Sequence, residues 1–495
     1  MPLKVSIVII ILYGTALLLI FVYSVMQMTL VVNFRRGIKE QRKNPNSLLD
    51  LKSDEVPFVT IQLPIYNELY VVERLIDTVA LFNYPLDKFE IQVLDDSTDE
   101  SIQISAMKVA EIKGKGINIQ HIQRKERIGF KAGALDYGLK IAKGEFIVIF
   151  DADFIPDKDF LLKTIPYFED QKIGVVQTRW GHINKNYSLL TRLQAFGLDA
   201  HFTVEQLGRN HGGHFINFNG TAGVWRKSCI EDAGGWEHDT LTEDLDLSYR
   251  AQLKGWKFKF LENVVTDAEL PVVMSALKNQ QFRWTKGGAE NFVKMRSRIL
   301  KNKNTSFKTK IHGIFHLFNS AIFLCVFATA FFSVPILFVK NNHPELYLVF
   351  NISSIFLVCT AMLMIFYWTS YQDKSQNIFV NIKRFSSNFV MFLASSMGLS
   401  LHNSVAVLEG YMGKKSSFIR TPKFNIVNNK DKWEGNKYMV NNINAITILE
   451  GLMTLYFLFG IVSAFFLNDY GLLPFHIMLF WGFGFVFWLS IRQVN

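Results

Sequence analysis

Six stretches of this chain carry no Asp, Glu, Lys or Arg: Val5–Asn33, Ile311–Val339, Leu346–Gln372, Phe385–Leu408, Gly451–Asn468 and Tyr470–Ile491. Each is near or above the roughly 20 apolar residues that a bilayer-spanning helix needs, so much of the chain is destined for lipid. The 45 phenylalanines fit this reading, because a soluble core alone does not call for so many. The first stretch is too long for a signal peptide, lacks a small-residue cleavage site and is followed by charge, so it is expected to stay as a membrane helix.

Between the first two stretches lie residues 34–310, of ordinary mixed polarity and the size of one large α/β domain. Arg35, Arg36, Lys39, Arg42 and Lys43 open this region, and Lys301, Lys303, Lys308 and Lys310 close it. The positive-inside rule therefore predicts that both of its flanks are cytoplasmic, in a multi-pass protein of the plasma (inner) membrane. The net charge of +10 has the same origin, and no basic run interleaves with exposed aromatics. Membrane lipid is thus an expected partner and nucleic acid is not. Cys229, Cys325 and Cys359 share no metal-like spacing, and two of them fall in membrane stretches, which argues against zinc and a disulfide framework.

Within the soluble region, β-rich runs at Val59–Leu63, Ile91–Leu94, Ile117–Ile122, Phe146–Phe150 and Val175–Thr178 alternate with helical stretches. That alternation predicts a mostly parallel sheet covered by helices. Ligands of such sheets bind beyond the carboxyl ends of the strands. Here those ends read Pro64-Ile65-Tyr66-Asn67-Glu68, Asp95-Asp96-Ser97 and Asp151-Ala152-Asp153. Carboxylates at successive strand ends call for a cation. With no G-x-G-x-x-G and no P-loop pattern, a metal-bridged diphosphate is the better reading.

A D-x-D pattern alone is weak, since about one match is expected by chance at ordinary Asp usage. Three occur here. Asp157/Asp159 is expected to start a helix and Asp244/Asp246 to lie within one, whereas only Asp151/Asp153 follows a buried strand. Downstream, Phe218-Asn219-Gly220-Thr221-Ala222-Gly223 is small enough for a sugar or backbone to come close. Thr242-Glu243-Asp244 opens a helix and reads blandly as an N-cap with an acidic first turn. Gln280-Gln281-Phe282-Arg283-Trp284 joins a planar cation to an indole, and its bland reading is an interfacial helix with a Trp anchor.

In this order the motifs resemble the family 2 glycosyltransferases that make polysaccharides, the cellulose, chitin, hyaluronan and plant glucomannan synthases, from about Phe58 to Lys423. The resemblance implies a GT-A-like α/β nucleotide-sugar-binding domain fused to an α-helical transmembrane bundle. It implies that Tyr66, Glu68 and Asp95 or Asp96 hold the nucleoside, that Lys131 lies near the diphosphate, and that Asp151 and Asp153 bind Mg2+ or Mn2+. Asp244 would be the catalytic base beside Glu243. From Gln280, Arg283 and Trp284 it implies that Trp284 stacks on the acceptor sugar and Arg283 stabilises the leaving diphosphate. The residue types suit the chemistry, because sugar–phosphate cleavage needs positive charge on the departing diphosphate and a carboxylate for the acceptor's proton. A single inverting displacement needs one such base rather than the paired carboxylates of hydrolases.

Ser417-Phe418-Ile419-Arg420-Thr421-Pro422-Lys423 resembles the family's F-x-V-T-x-K gating loop, with Arg420 in place of valine, so Phe418, Thr421 and Lys423 are expected at the nucleotide. A cytoplasmic gating loop requires Phe385–Leu408 to lie in the interface or re-enter, and Ser395, Ser396, His402 and Asn403 make that reasonable; the alternative is a sixth crossing there, which would put the loop on the other side of the membrane. The expected organisation is a membrane helix at 1–33, a catalytic domain at 34–310, a hairpin at 311–372, an interfacial or re-entrant helix with the gating loop at 373–443, and a final hairpin at 444–495. The function read from these features is an inverting transfer of hexosyl units, from UDP-glucose first and GDP-mannose second, to a growing β-linked polysaccharide coupled to translocation. Accessory export proteins are allowed as partners beside the nucleotide-sugar donor and the glycan acceptor. The rival is a non-processive ceramide or polyprenyl glucosyltransferase.

Overall fold

The computed structural model describes residues 2–43, 56–346, 348–350, 357–371, 377–428, 430–438 and 443–493. Its centre is a seven-stranded sheet in the order β3-β2-β1-β4-β6-β5-β7. The strands are β1 (Val59–Ile65), β2 (Phe89–Asp95), β3 (Ile119–Gln123), β4 (Phe146–Ile149), β5 (Ile173–His182), β6 (Gly223–Arg226) and β7 (Lys257–Ala268). β6 runs antiparallel to β4 and β5, and the other neighbours are parallel.

Alternate residues of the central strands feed opposite faces, as the pleat demands. Phe146 and Val148 join the core under Val72–Ala80, whereas Ile147 and Ile149 join a second core under Phe130–Ile141. Burial on both faces explains why these strands read as unbroken apolar runs. The expected runs fall on β1 to β5, with β5 longer than Val175–Thr178 because it pairs with β7 as far as His182. β6 and β7 are additions to the expected sheet.

Among the described residues four helices are long and apolar enough to cross a membrane: Leu3–Lys39, Phe307–Asn342, Ala445–Phe466 and Leu473–Arg492. Ile378–Gly398 and Ser400–Tyr411 form a bent pair at 49°, a broken span or a re-entrant segment, in the run expected to re-enter or lie in the interface. Leu357–Tyr371 is apolar but shorter. Residues 347, 351–356 and 372 of the expected hairpin, and 373–376, 429 and 439–442 of the segment after it, lie outside the described residues. The first helix is tied to the soluble domain, for Val31 and Phe34 pack in one core with Phe202 and Leu207. Helix Met274–Lys301 is tied to the final hairpin where Lys278 Nζ meets Glu450 Oε2 at 2.5 Å.

Candidate active site

Because β2, β1 and β4 are parallel neighbours in register, their carboxyl ends open on one side. There a cavity of about 180 Å3 collects Tyr66, Glu68, Asp96, Lys131, Asp151 and Asp153 from the strand-end loops and the helix Phe130–Ile141. Glu243 and Asp244 enter it from the start of helix Glu243–Leu253, Gln280, Arg283 and Trp284 from helix Met274–Lys301, and Phe418, Thr421 and Lys423 from the loop after Tyr411. Residues as far apart in the sequence as Tyr66 and Lys423 thus line one cavity.

Asp95 is the exception among the expected nucleoside residues. It does not line the cavity; its Oδ2 lies 2.8 Å from His121 Nε2 and its Oδ1 accepts from the Ser97 amide at 2.9 Å. Burial raises its pKa, but the bonds from His121 and Ser97 outweigh that and hold the carboxyl below its ordinary value. Of the two neighbours Asp96 reaches the cavity, gripped by Arg124, whose Nε donates to it at 2.9 Å.

Both D-x-D carboxylates meet an ammonium group. Lys131 Nζ lies 2.5 Å from Asp151 Oδ1 and donates to the Gly220 carbonyl at 2.9 Å, while Lys423 Nζ lies 2.5 Å from Asp153 Oδ2. Thr221 Oγ1 accepts from the Asp151 amide at 2.8 Å and fixes the turn. Two hard carboxylates lining one cavity, each paired with a lysine, are of the type that would hold Mg2+ or Mn2+. A separate acidic group, Glu237, Asp239 and Asp246, is instead closed by Lys294 Nζ at 2.6, 2.6 and 2.8 Å.

Asp244 faces Gly220. A Cβ added at Gly220 would sit 3.1 Å from Asp244 Oδ2, and the residue's φ of +79° is one that side-chain-bearing residues rarely adopt. Glycine there lets the backbone close on both the carboxylate and Lys131. Burial, and then the Glu243 carboxylate beside it, raise the Asp244 pKa to about 7, and burial raises Glu243 as well. Thr242 makes no side-chain cap. Its Oγ1 accepts from Asn291 Nδ2 at 3.0 Å, so the segment is held from outside its own helix.

Trp284 lines the cavity, with its ring 6.4 Å from that of Trp180. Arg283 stacks on the Phe418 ring at 4.5 Å and donates to Thr421 Oγ1 at 3.1 Å, joining the Q-x-x-R-W helix to the loop. Sequence reasoning missed two arginines as site residues. Arg127 lies over the Tyr66 ring at 3.3 Å, and Arg420 pairs with Glu68 at 3.0 Å while lying over Tyr438 at 4.0 Å. Burial raises Glu68 to about 7, against the pull of Arg420. The basic run Arg124-Lys125-Glu126-Arg127 just before Gly129 was the available signal for the first.

The family described as "Glycosyltransferase like family 2" matches residues 57–287, the stretch that builds the sheet and the carboxylate cluster. Over that stretch the chain is similar to the glycosyltransferases of family 2. A probable glucomannan 4-beta-mannosyltransferase 4 of Oryza sativa subsp. japonica is 45% identical over 53% of this chain and 49% of that protein. Glucomannan 4-beta-mannosyltransferase 9 of Arabidopsis thaliana is 41% identical over 58% of this chain and 56% of that protein. The chain spans about half the length of the curated relatives it matches. Among solved structures it is similar to a mannosyltransferase of Pyrobaculum calidifontis in complex with GDP-Man and Mn2+, at 18% identity and a TM-score of 0.49, covering 79% of this chain and 100% of that one.

Proposed function

We propose that this protein is an inverting hexosyltransferase that moves a hexosyl unit from a nucleoside-diphosphate sugar to a growing β-linked glycan. The observation that carries the proposal is the meeting of Asp151, Asp153, Asp244 and Arg283 in one cavity roofed by Trp284. Tyr66, Glu68 and Asp96 hold the nucleoside at one end of it. Asp151 and Asp153 hold Mg2+ or Mn2+, which supplies positive charge to the diphosphate when bound. Lys131 and Arg283 add charge to the same group.

Asp244 takes the proton of the acceptor hydroxyl as that oxygen bonds to C1 of the donor sugar. The C1–O bond to the diphosphate breaks in the same displacement, and its electron pair leaves on the phosphate oxygen. Attack opposite the leaving group inverts the anomeric centre. Trp284 offers the acceptor a flat apolar face, which grips a sugar without fixing it in one place. The raised Asp244 pKa keeps a base strong enough for a hydroxyl and still ionised near neutrality.

Passage of the product through the membrane helices is supported by two further cavities. One of about 220 Å3 shares Leu198, Gln280 and Trp284 with the first, and one of about 430 Å3 shares Gly197, Phe323, Tyr367, Phe392 and Ser396 with the second. Between the donors read from the sequence, the names of the relatives favour GDP-mannose over UDP-glucose. A polysaccharide acceptor fits those names better than a lipid. The catalytic domain is assigned to the cytoplasmic side of the plasma membrane, on its basic flanks. The test is to incubate purified protein with each labelled nucleotide-sugar and Mg2+ or Mn2+ and to size the product. Labelled β-linked polymer supports the proposal, and free sugar alone with every donor contradicts it.

A further inference from the structure

The segment carrying Asp244 is held from one side by a single helix. Asn291, fully buried on helix Met274–Lys301, shares the two hydrogens of its Nδ2 among Thr242 Oγ1 at 3.0 Å, the Gly287 carbonyl of its own helix at 3.1 Å, the Thr242 carbonyl at 3.2 Å and Thr240 Oγ1 at 3.3 Å. Glu290 Oε2 accepts from the Leu241 amide at 2.8 Å. One turn on, Lys294 Nζ reaches Asp246 Oδ1 at 2.8 Å, and Arg250 secures Asp246 from behind at 2.6 Å. Gly287 lets the two backbones come this close, since a Cβ there would sit 2.5 Å from Thr242 Oγ1.

Asp244 is therefore bracketed, with Thr242 anchored two residues before it and Asp246 two residues after. Both anchors are on the helix that also carries Gln280, Arg283 and Trp284. The segment that carries Asp244 is thus tied to the helix that carries Trp284 by contacts that involve no donor. Such pre-set geometry matters because an offset of about 1 Å at a reacting pair costs on the order of 100-fold in rate.

We propose that Asn291 and Lys294 are positioning residues for Asp244, acting through Thr242 and Asp246 to hold the base in register with Arg283 and Trp284. The proposal rests on the reading of Asp244 as the base. Neither residue touches the donor, so removing either should lower kcat and spare nucleotide binding.

The test uses the full-length protein in detergent, with transfer kinetics, nucleotide titration and thermal melting measured on each variant. If the unaltered protein transfers no sugar, the functional reading fails by itself and nucleotide affinity is unaffected by that failure. Given an active parent, Asn291→Leu and Lys294→Met should each lower kcat by roughly 10- to 100-fold, with nucleotide affinity within about twofold. Lys294→Arg should recover most of the loss. In an Asp244→Asn background, Asn291→Leu should cost no more than about twofold further, because the group it positions is already gone. A kcat within threefold of the parent in both single variants would overturn the proposal. So would a full, additive loss on top of Asp244→Asn, or a loss that Lys294→Arg fails to repair while melting is unchanged.

Discussion

At the scale of single residues, the site depends on two carboxylates in different surroundings. Asp244 is half-buried beside Glu243 and its pKa is raised to about 7, so below pH 7 it increasingly holds a proton and cannot accept one. The value of kcat/KM should therefore climb about tenfold per unit as pH rises toward 7 and level off above it. A pH–rate series on the purified protein checks this, and a flat profile from pH 5.5 to 8 would remove Asp244 from the base's role. Asp153 lines the same cavity, with Lys423 Nζ at 2.5 Å. Asp153→Ala should weaken the Mn2+ dependence of nucleotide binding by an order of magnitude or more, since a hard cation loses an oxygen ligand where diphosphate charge must be neutralised. Calorimetric titration of Mn2+ and nucleotide decides it, and an unchanged curve would mean that the D-x-D only builds the turn.

At the scale of elements, the Q-x-x-R-W helix is the hub, touching the T-E-D segment through Asn291 and the loop through Arg283. Trp284→Ala should leave slow donor hydrolysis in place but shorten the products, because losing the indole face costs on the order of 1 kcal/mol of stacking at each addition. Gel sizing of the product tests this, and polymer of full length from the variant would return Trp284 to the role of interfacial anchor. The parts of the site that lie in consecutive residues were legible in the sequence. D-x-D follows a buried strand, T-E-D opens a helix and Q-x-x-R-W lies within one, so each is a local pattern. The choice between Asp95 and Asp96 was not legible, because successive side chains at a strand end point to opposite sides and only the fold says which side opens on the cavity. Arg420 was equally hidden, since its partners Glu68 and Tyr438 come from distant segments. β6 is a four-residue strand buried throughout, too short to show a period, and its antiparallel place between β4 and β5 is set by long-range pairing alone.

At the scale of the whole molecule, the carboxylate-lined cavity is joined to the apolar helices through successive cavities that share lining residues. Gly197 lies at the neck between the second and third, and a Cβ added there would sit 2.7 Å from the Phe392 ring. Gly197→Leu should narrow the neck and shorten the product while leaving the first transfer within about threefold of normal, whereas an unchanged product distribution would argue against this exit. The most direct measurement follows transfer of labelled mannose or glucose from the nucleoside diphosphate to glycan, with Mn2+, by the unaltered protein and by Asp244→Asn side by side. The predicted result is β-linked product from the unaltered protein and a loss of roughly 100-fold or more in Asp244→Asn, with nucleotide affinity preserved. Transfer by Asp244→Asn within tenfold of the unaltered protein would contradict the account.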